Sequence, residues 1–433
     1  MKPSYYNIRI PLKNKNVLFN TLTLNFFVIP DNIDSDIFRL LKNPNCSWGH
    51  LESIKSQLLD KRFIIPNEIN ECNEIQKQIL KNKNSSHYTL MLLPTYSCNL
   101  SCWYCVQKHN TSIMSKRLTT AVKLHISNYL ETNKIKSFEI HWFGGEPMLC
   151  FESHIIEISK FAIDLCNKLG IIFFNNITTN GTLLNKKRIK LMKELHFMQF
   201  QITVDGPQDI HNTIRNSNGK PTFNVITNQI NNIIEELPEA QVYLRYNFTA
   251  ENYIHINKLI KELNIVFNKE KRNKIQISPV KVWQEERKNL PNNCFEEIYK
   301  QFKTAGYKLA NVDMCHDFTK CIADMKHSFV IFPNGLVDKC NNINPQEARY
   351  ELLRNGDIVK RKNFINDFLQ NALPNACIKC RFYPACLGPC WILKKYSFNT
   401  FRSIKCMDSV ANISIQERIQ NFCILNLIES RIL

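Results

Sequence analysis

Of the seventeen cysteines in this 433-residue chain, eleven fall into two groups whose internal spacing suits metal ligands. The first group is Cys98-Asn-Leu-Ser-Cys102-Trp-Tyr-Cys105, a C-x3-C-x2-C pattern. The second holds Cys315, Cys321, Cys340, Cys377, Cys380, Cys386, Cys390 and Cys406, with C-x2-C-x5-C-x3-C at its centre. An odd cysteine total argues against a closed disulfide framework, so metal is the first expectation. Three thiolates can hold three irons of a four-iron cluster and leave the fourth open to a ligand. Eight can fully ligate two further clusters. One or two tetrahedral zinc sites are the competing reading for the second group; zinc would stabilise that region but pass no electrons. The remaining six, Cys46, Cys72, Cys150, Cys166, Cys294 and Cys423, lack ligand-like spacing and read as small buried hydrophobes.

The first cysteine loop follows a strand, and the texture around it is α/β. Strands are expected at Tyr88–Leu93, Phe138–Phe143, Ile171–Thr178, Met198–Val204, Gln241–Asn247 and Lys274–Val280, with amphipathic helical stretches between them. Six β-then-α units imply a parallel sheet with crossover helices, too few for a closed eight-strand barrel. The expected shape is an open, partial (β/α)6 barrel over residues 86–312. Residues 1–85 read as a separate small α/β module. It has strands at Tyr5–Ile10, Val17–Phe19 and Leu24–Ile29, helices near Ile33–Leu41 and Leu51–Leu59, a strand at Phe63–Ile65 and a helix near Asn67–Lys81. The polar stretch Lys81–Ser86 reads as its linker. Residues 313–433 are cysteine-dense and short of periodicity, ending in a helix near Ser409–Ile428.

The later motifs fall just past the ends of predicted strands, the edge where α/β folds assemble sites. They are Gly144-Gly145-Glu146-Pro147, Thr178-Thr179-Asn180-Gly181, Val204-Asp205-Gly206-Pro207 with His211 and Arg215, and then Asn247 and Thr249. Glycines allow close backbone approach and a carboxylate can hold an ammonium group. Asp205 also fits a turn with Gly206, and His211 a structural loop contact.

The Cys98–Cys105 loop resembles the signature of the radical S-adenosylmethionine (SAM) superfamily. By that resemblance SAM chelates the open iron held by Cys98, Cys102 and Cys105. Tyr104 lies near the adenine, Gly144, Gly145 and Glu146 bind the SAM amino group, Asn180 and Asp205 face the cofactor, and Arg215 pairs with its carboxylate. The C-terminal array resembles the SPASM domain, which carries two auxiliary 4Fe–4S clusters. The resemblance implies one cluster on Cys315, Cys321, Cys340 and Cys390 and another on Cys377, Cys380, Cys386 and Cys406. Three 4Fe–4S clusters and SAM are thus the implied cofactors, with electron transfer and structural support as the auxiliary roles.

The same resemblance implies the chemistry. SAM is cleaved reductively to a 5′-deoxyadenosyl radical, which abstracts hydrogen from a substrate. The implied function is a peptide maturase that installs a crosslink or other modification in a ribosomally made precursor. Thioether formation, carbon–carbon crosslinking and epimerisation all begin with that step. Residues 1–85 are similar in order to the winged-helix-like leader-binding domain of such enzymes, which captures a leader as an added strand. Anaerobic sulfatase-maturating enzymes are the alternative, oxidising a Cys or Ser side chain. They carry a catalytic aspartate after the cysteine matching Cys340, where this chain has Asn341, which cannot serve as a base. A non-catalytic SPASM scaffold or electron carrier is the third reading.

The expected partners are a peptide or protein substrate and a reductant such as flavodoxin or ferredoxin. The formal charge is +18, and eleven thiolates with three dipositive cluster cores add about −5. The basic surface suits an acidic peptide, but no basic block is dense enough for a nucleic-acid site. No apolar run approaches a membrane span and Met1–Ile10 lacks a signal pattern, so a cytoplasmic protein with no membrane contact is expected.

Overall fold

The computed structural model describes residues 1–12, 15–217, 219–282, 284, 290–291, 293–310, 321–361, 374–401, 403–406 and 414–430. Near the N-terminus, β1 (Lys2–Pro3) pairs antiparallel with the strand at Ile64–Ile65, and β2 (Asn7–Leu12), β3 (Lys15–Asn20) and β4 (Phe26–Ile29) form an antiparallel sheet; Ile64–Ile65 is β5. Helices Asp34–Lys42 and Glu52–Asp60 cover one face of the sheet, burying Leu18 and Ile29 with Ile37, Leu40, Leu51, Leu58 and Phe63. The other face is also covered. Ile10, Val17 and Phe19 share a core with Ala385 and with Ile415, Ile419, Phe422 and Cys423 of the helix Ile415–Glu429. A strand buried on both faces needs a continuous apolar run, and Val17–Phe19 supplies it. The expected linker at Lys81–Ser86 is shorter than its polarity suggests. The helix Glu71–Lys83 runs into it, because Asn, Lys and Glu are as acceptable on an exposed helix as in a loop.

Six parallel strands then lie side by side in chain order: β6 (His87–Leu92), β7 (Ser137–Trp142), β8 (Ile172–Thr179), β9 (Phe197–Val204), β10 (Gln241–Phe248) and β11 (Ile275–Lys281). Among the helices between them are Lys116–Thr132, Ile156–Leu169, Lys186–Glu194, Phe223–Glu236 and Ile256–Val266. The sheet is open. Buried parallel strands are usually apolar on both faces, but these alternate. Phe138, Ile140 and Trp142 of β7, Phe200, Ile202 and Val204 of β9, and Val242, Leu244 and Tyr246 of β10 pack into the main core. The opposite face carries Glu139 and His141, Gln199, Gln201 and Thr203, and Tyr243, Arg245 and Asn247. One face therefore builds the core, and the other is a polar wall.

The sheet does not stop at the sixth strand. β12 (Lys308–Leu309) extends it past β11, and β13 (Ser328–Ile331) pairs parallel with β6. Antiparallel β14 (Leu336–Asp338), β15 (Tyr350–Leu352) and β16 (Ile358–Lys360) complete it, so one sheet of eleven strands crosses residue 313. Strands of three or four residues are too short to show an alternation, which is why the sequence here reads as irregular. Asp338 and Arg349 lock the hairpin with a buried pair 2.6 Å apart, the guanidinium stacking 4.3 Å from the Trp391 ring centre. No helix among the described residues is long and apolar enough to cross a membrane.

Trp142 is fully buried and its indole N–H donates to Asn175 Oδ1 at 2.8 Å, while Asn175 Nδ2 donates to the Leu195 carbonyl. Trp142→Phe leaves that oxygen buried without a donor. It should cost about 1–3 kcal/mol, seen as a lowered urea midpoint with an unchanged slope.

Candidate active site

The loop after β6 leaves the sheet as two legs zipped together. Tyr96 N–H donates to the Ser112 carbonyl, Met114 N–H to that of Pro94, Thr95 Oγ1 to Ser112 and Ser97 Oγ to Asn110, all at 2.8–3.1 Å. Between the legs hang Cys98, Cys102 and Cys105, the last two joined by a turn in which Cys105 N–H donates to Cys102.

The end of β7 forms a ledge beneath this loop. Gly145 N–H donates to the Thr95 carbonyl and Glu146 N–H to that of Ser97. A Cβ on Gly144 would stand 2.5 Å from Thr95 O, and one on Gly145 2.2 Å from Ser97 O. Only glycine fits both positions. The Glu146 side chain does not line the cavity above the ledge. It is fully buried and accepts from Met148 N–H at 2.9 Å, Thr179 Oγ1 at 2.7 Å and Asn180 N–H at 2.7 Å. Burial raises its pKa and the three donors oppose that shift. Its visible work is to tie the end of β7 to that of β8. Asn180 then reaches under the cysteine loop, donating to Asn99 Oδ1 at 2.8 Å and to the Cys98 sulfur at 3.7 Å.

Across the cavity a second network fixes Tyr104. Its hydroxyl donates to Asp205 Oδ2 at 2.5 Å and accepts from Arg215 and from Asn247 Nδ2 at 3.0 Å. Arg215 pairs with the same Asp205 oxygen at 2.6 Å, inside the protein, so its charge is answered by the chain itself. Asp205 Oδ1 is buried with no hydrogen-bond partner among the described residues. His211 is structural. Its Nδ1 accepts from Asp205 N–H at 3.2 Å and its Nε2 faces Thr222 Oγ1 at 3.1 Å. Thr249 caps the turn at Ala250–Tyr253 with Asn252 and does not face the cavity.

One cavity gathers these groups. Cys98, Cys102, Cys105, Tyr104, Gly144, Gly145, Thr178, Thr179, Asn180, Arg215 and Asn247 all border it. Gln201, Thr203, Arg245, Lys281 and Gln284 border it too, and the motif search missed them. The signal available for the first three was the polar alternation along β9 and β10. Burial raises the thiol pKa of Cys98, and that of Cys102 to about 11, so positive charge must be supplied before these sulfurs become thiolates. Three thiols around a void, over a glycine ledge that a side chain would fill, fit an iron cluster with a ligand beside it. Among the described residues no three His, Cys, Asp or Glu side chains close on one point as the ligands of a single ion would.

In the C-terminal segment, burial raises the Cys340 thiol to about 12, with Cys321 and Cys390 as neighbouring sulfurs adding to the shift. Cys377 and Cys386 both act on the Tyr383 hydroxyl. Cys380 closes a turn with Cys377. Cys315 lies outside the described residues.

Residues 92–263 match the radical SAM superfamily. That stretch is a radical SAM domain. The cofactors are SAM and iron–sulfur clusters of the 4Fe–4S type. The chain is 25% identical over 350 residues to a cysteine-type anaerobic sulfatase-maturating enzyme of Clostridium novyi, covering 72% of this chain and 89% of that one. A serine-type counterpart from Bacteroides thetaiotaomicron is 25% identical over 341 residues, covering 68% and 80%. Among solved structures, anSMEcpe with bound AdoMet and Kp18Cys peptide superposes with a TM-score of 0.56 at 17% identity, over 79% of this chain and 99% of that chain. Streptococcus suis SuiB bound to precursor peptide SuiA gives 0.50 at 15% identity, over 95% and 100%. At such identities these likenesses show a shared fold.

Two outcomes are expected. Gly145→Ala should separate ledge from loop, an overpacking strain of about 1–3 kcal/mol, and weaken SAM binding to the reconstituted enzyme by about tenfold or more. Burial pushes His211 down to about 3 and His125 to about 4, so both are neutral when folded. The unfolded chain binds a proton at each below about pH 6.5, so stability falls as the pH drops from there toward 4. His211→Gln should reduce the slope of unfolding free energy against pH in that window by about one proton, or about 1.4 kcal/mol per pH unit.

Proposed function

We propose that this enzyme modifies a peptide, using one SAM-binding cluster on Cys98, Cys102 and Cys105 and two auxiliary clusters on the C-terminal cysteines. One auxiliary cluster would take Cys315, Cys321, Cys340 and Cys390, the other Cys377, Cys380, Cys386 and Cys406. SAM held at that site would supply, on reductive cleavage, the radical chemistry that takes a hydrogen atom from a substrate. The chain's own part is to aim and to shield. The glycine ledge lets backbone approach the cofactor closely, the Glu146 tie holds the ledge, and Tyr104, fixed by Asp205, Arg215 and Asn247, closes the cavity opposite.

The observation that carries the peptide reading is a second cavity of about 390 Å³ beside the first, within the roughly 300–1,000 Å³ of ligand pockets. The two share Val106 and Gln107, and the second is lined by Gln107, Asn110, Asn334, Asn341, Asn342, Asn344 and Gln346. Side-chain amides both donate and accept, as peptide groups do. Among the described residues its lining carries no Asp, Glu or His, and Asn341 stands where sulfatase-maturating enzymes have their aspartate. The sequence relatives favour the sulfatase-maturating reading; the missing base and the N-terminal sheet favour a peptide maturase. β2 and β4 each pair on one side only among the described residues, leaving edges for an added strand. Residues 1–85 would serve there as the leader-binding unit, and a small reductant such as flavodoxin would supply electrons.

Anaerobic reconstitution should give about twelve irons per chain, and the Cys98, Cys102 and Cys105 triple alanine variant about eight, with SAM cleavage abolished. Incubation of a small candidate precursor with enzyme, SAM and reductant should change its mass by the loss of two hydrogens, or load it with solvent deuterium if a centre is epimerised. Normal SAM cleavage with full activity on a sulfatase Cys or Ser peptide would select the alternative.

A further inference from the structure

The segment that carries three of the C-terminal cysteines has little regular structure of its own. Between residues 374 and 390 it makes two four-residue helical turns, Asn375–Ile378 and Tyr383–Cys386. Single turns do not hold themselves in water. The support comes from the far end of the chain. Thr21, buried in the turn after β3, donates its hydroxyl to the Arg381 carbonyl. Tyr5, just ahead of β2, donates to the Lys379 carbonyl at 2.7 Å, and its ring lies 5.4 Å from the Arg381 guanidinium. Tyr383 packs against Tyr6, Leu22 and Ile75, while Ala385 and Cys386 join the core of Ile10, Val17 and Phe19. The carbonyls on either side of Cys380 therefore take their donors from the N-terminal unit. The Lys379 carbonyl shares a rigid peptide plane with the Cys380 N–H, which donates to the Cys377 carbonyl at 3.2 Å. Fixing that plane fixes how Cys377 and Cys380 stand to one another.

We propose that Tyr5 and Thr21 are positioning residues for the auxiliary cluster on Cys377, Cys380 and Cys386, and that the N-terminal sheet is the mould in which this cysteine loop takes its shape. The inference rests on the reading that these cysteines hold an iron–sulfur cluster. It gives residues 1–85 a task apart from peptide capture. Cluster potentials depend on hydrogen bonds to the sulfurs and on the water that reaches them. A loop released from Thr21 lets water closer, and water favours the more negative, reduced cluster. Loss of the mould should therefore raise the midpoint potential of this cluster and loosen its iron.

The test uses the full, anaerobically reconstituted chain, with T21V, T21S, Y5F, W142F and the triple variant C377A/C380A/C386A. Two quantities are read: the midpoint potential of each cluster by redox titration followed by electron paramagnetic resonance, and the rate of iron release to a chelator. The triple variant should lack about four irons, and its difference spectrum identifies the cluster. T21V keeps the side chain's shape and removes the donor. It should release that cluster's iron about tenfold faster and raise its potential. Y5F keeps the ring and should shift both readouts in the same direction by a smaller factor, and T21S, which restores the hydroxyl, should return them toward wild type. W142F weakens the fold far from this loop and should move neither. A triple variant with the iron content of wild type would remove the cluster reading and this inference with it. Wild type that holds the cluster, with T21V and Y5F matching it in both readouts or W142F changing as they do, would overturn the inference alone.

Discussion

A single buried carboxylate holds the top of this sheet together. Glu146 follows β7 with its side chain out of solvent and no ion pair among the described residues, satisfied by the Met148 and Asn180 N–H groups and the Thr179 hydroxyl. Its own N–H is given to the loop carrying the first three cysteines. Three successive strand ends therefore meet at one residue, two through its side chain and one through its backbone. A buried ion is tolerable only when its lone pairs are filled, and losing any donor leaves it costly. The glycine ledge, the position of Asn180 under Cys98 and the height of the cysteine loop over the sheet all follow from that constraint.

The division of labour between the sheet's two faces explains how a rigid scaffold and a wet site coexist. The apolar face is covered by helices, in a core that runs from Tyr88 to Ile428. The polar face needs no such partner, because its amides, hydroxyls and guanidinium look into a cavity. Rigidity comes from the hydrogen-bonded ladder common to both, so the polar side chains are placed by strand register and not by loop packing. Tyr104 shows the same economy. It arrives from a loop, but Asp205, Arg215 and Asn247 from three other places settle its hydroxyl.

Much of this was legible in the residues. The six parallel strands were marked by alternation and length, and the structure moves their ends by about one residue. The cysteine spacings and the glycine pair named the chemistry, because few other arrangements need such residues there. Three things were hidden. The short strands β13–β16 carry too few residues for a period to show, so the continuation of the sheet past residue 313 emerged only in three dimensions. The partners of Arg215 and Glu146 within the chain, Asp205, Tyr104, Thr179 and the neighbouring backbone, are revealed by no spacing. Arg245, Thr203 and Gln201 belong to no motif, and only the alternation along β9 and β10 turned them toward the cavity.

The N-terminal sheet shares its second core with the helix Ile415–Glu429, almost the whole length of the chain away. During synthesis Ile10, Val17 and Phe19 emerge long before that helix, and one face of their sheet stays uncovered until it is made. Tyr5 donates to the Lys379 carbonyl at 2.7 Å and lies under Arg381, so that late docking also grips the segment between Cys377 and Cys386. A chain cut short before residue 414 would leave that sheet face, and the apolar side chains on it, without their cover.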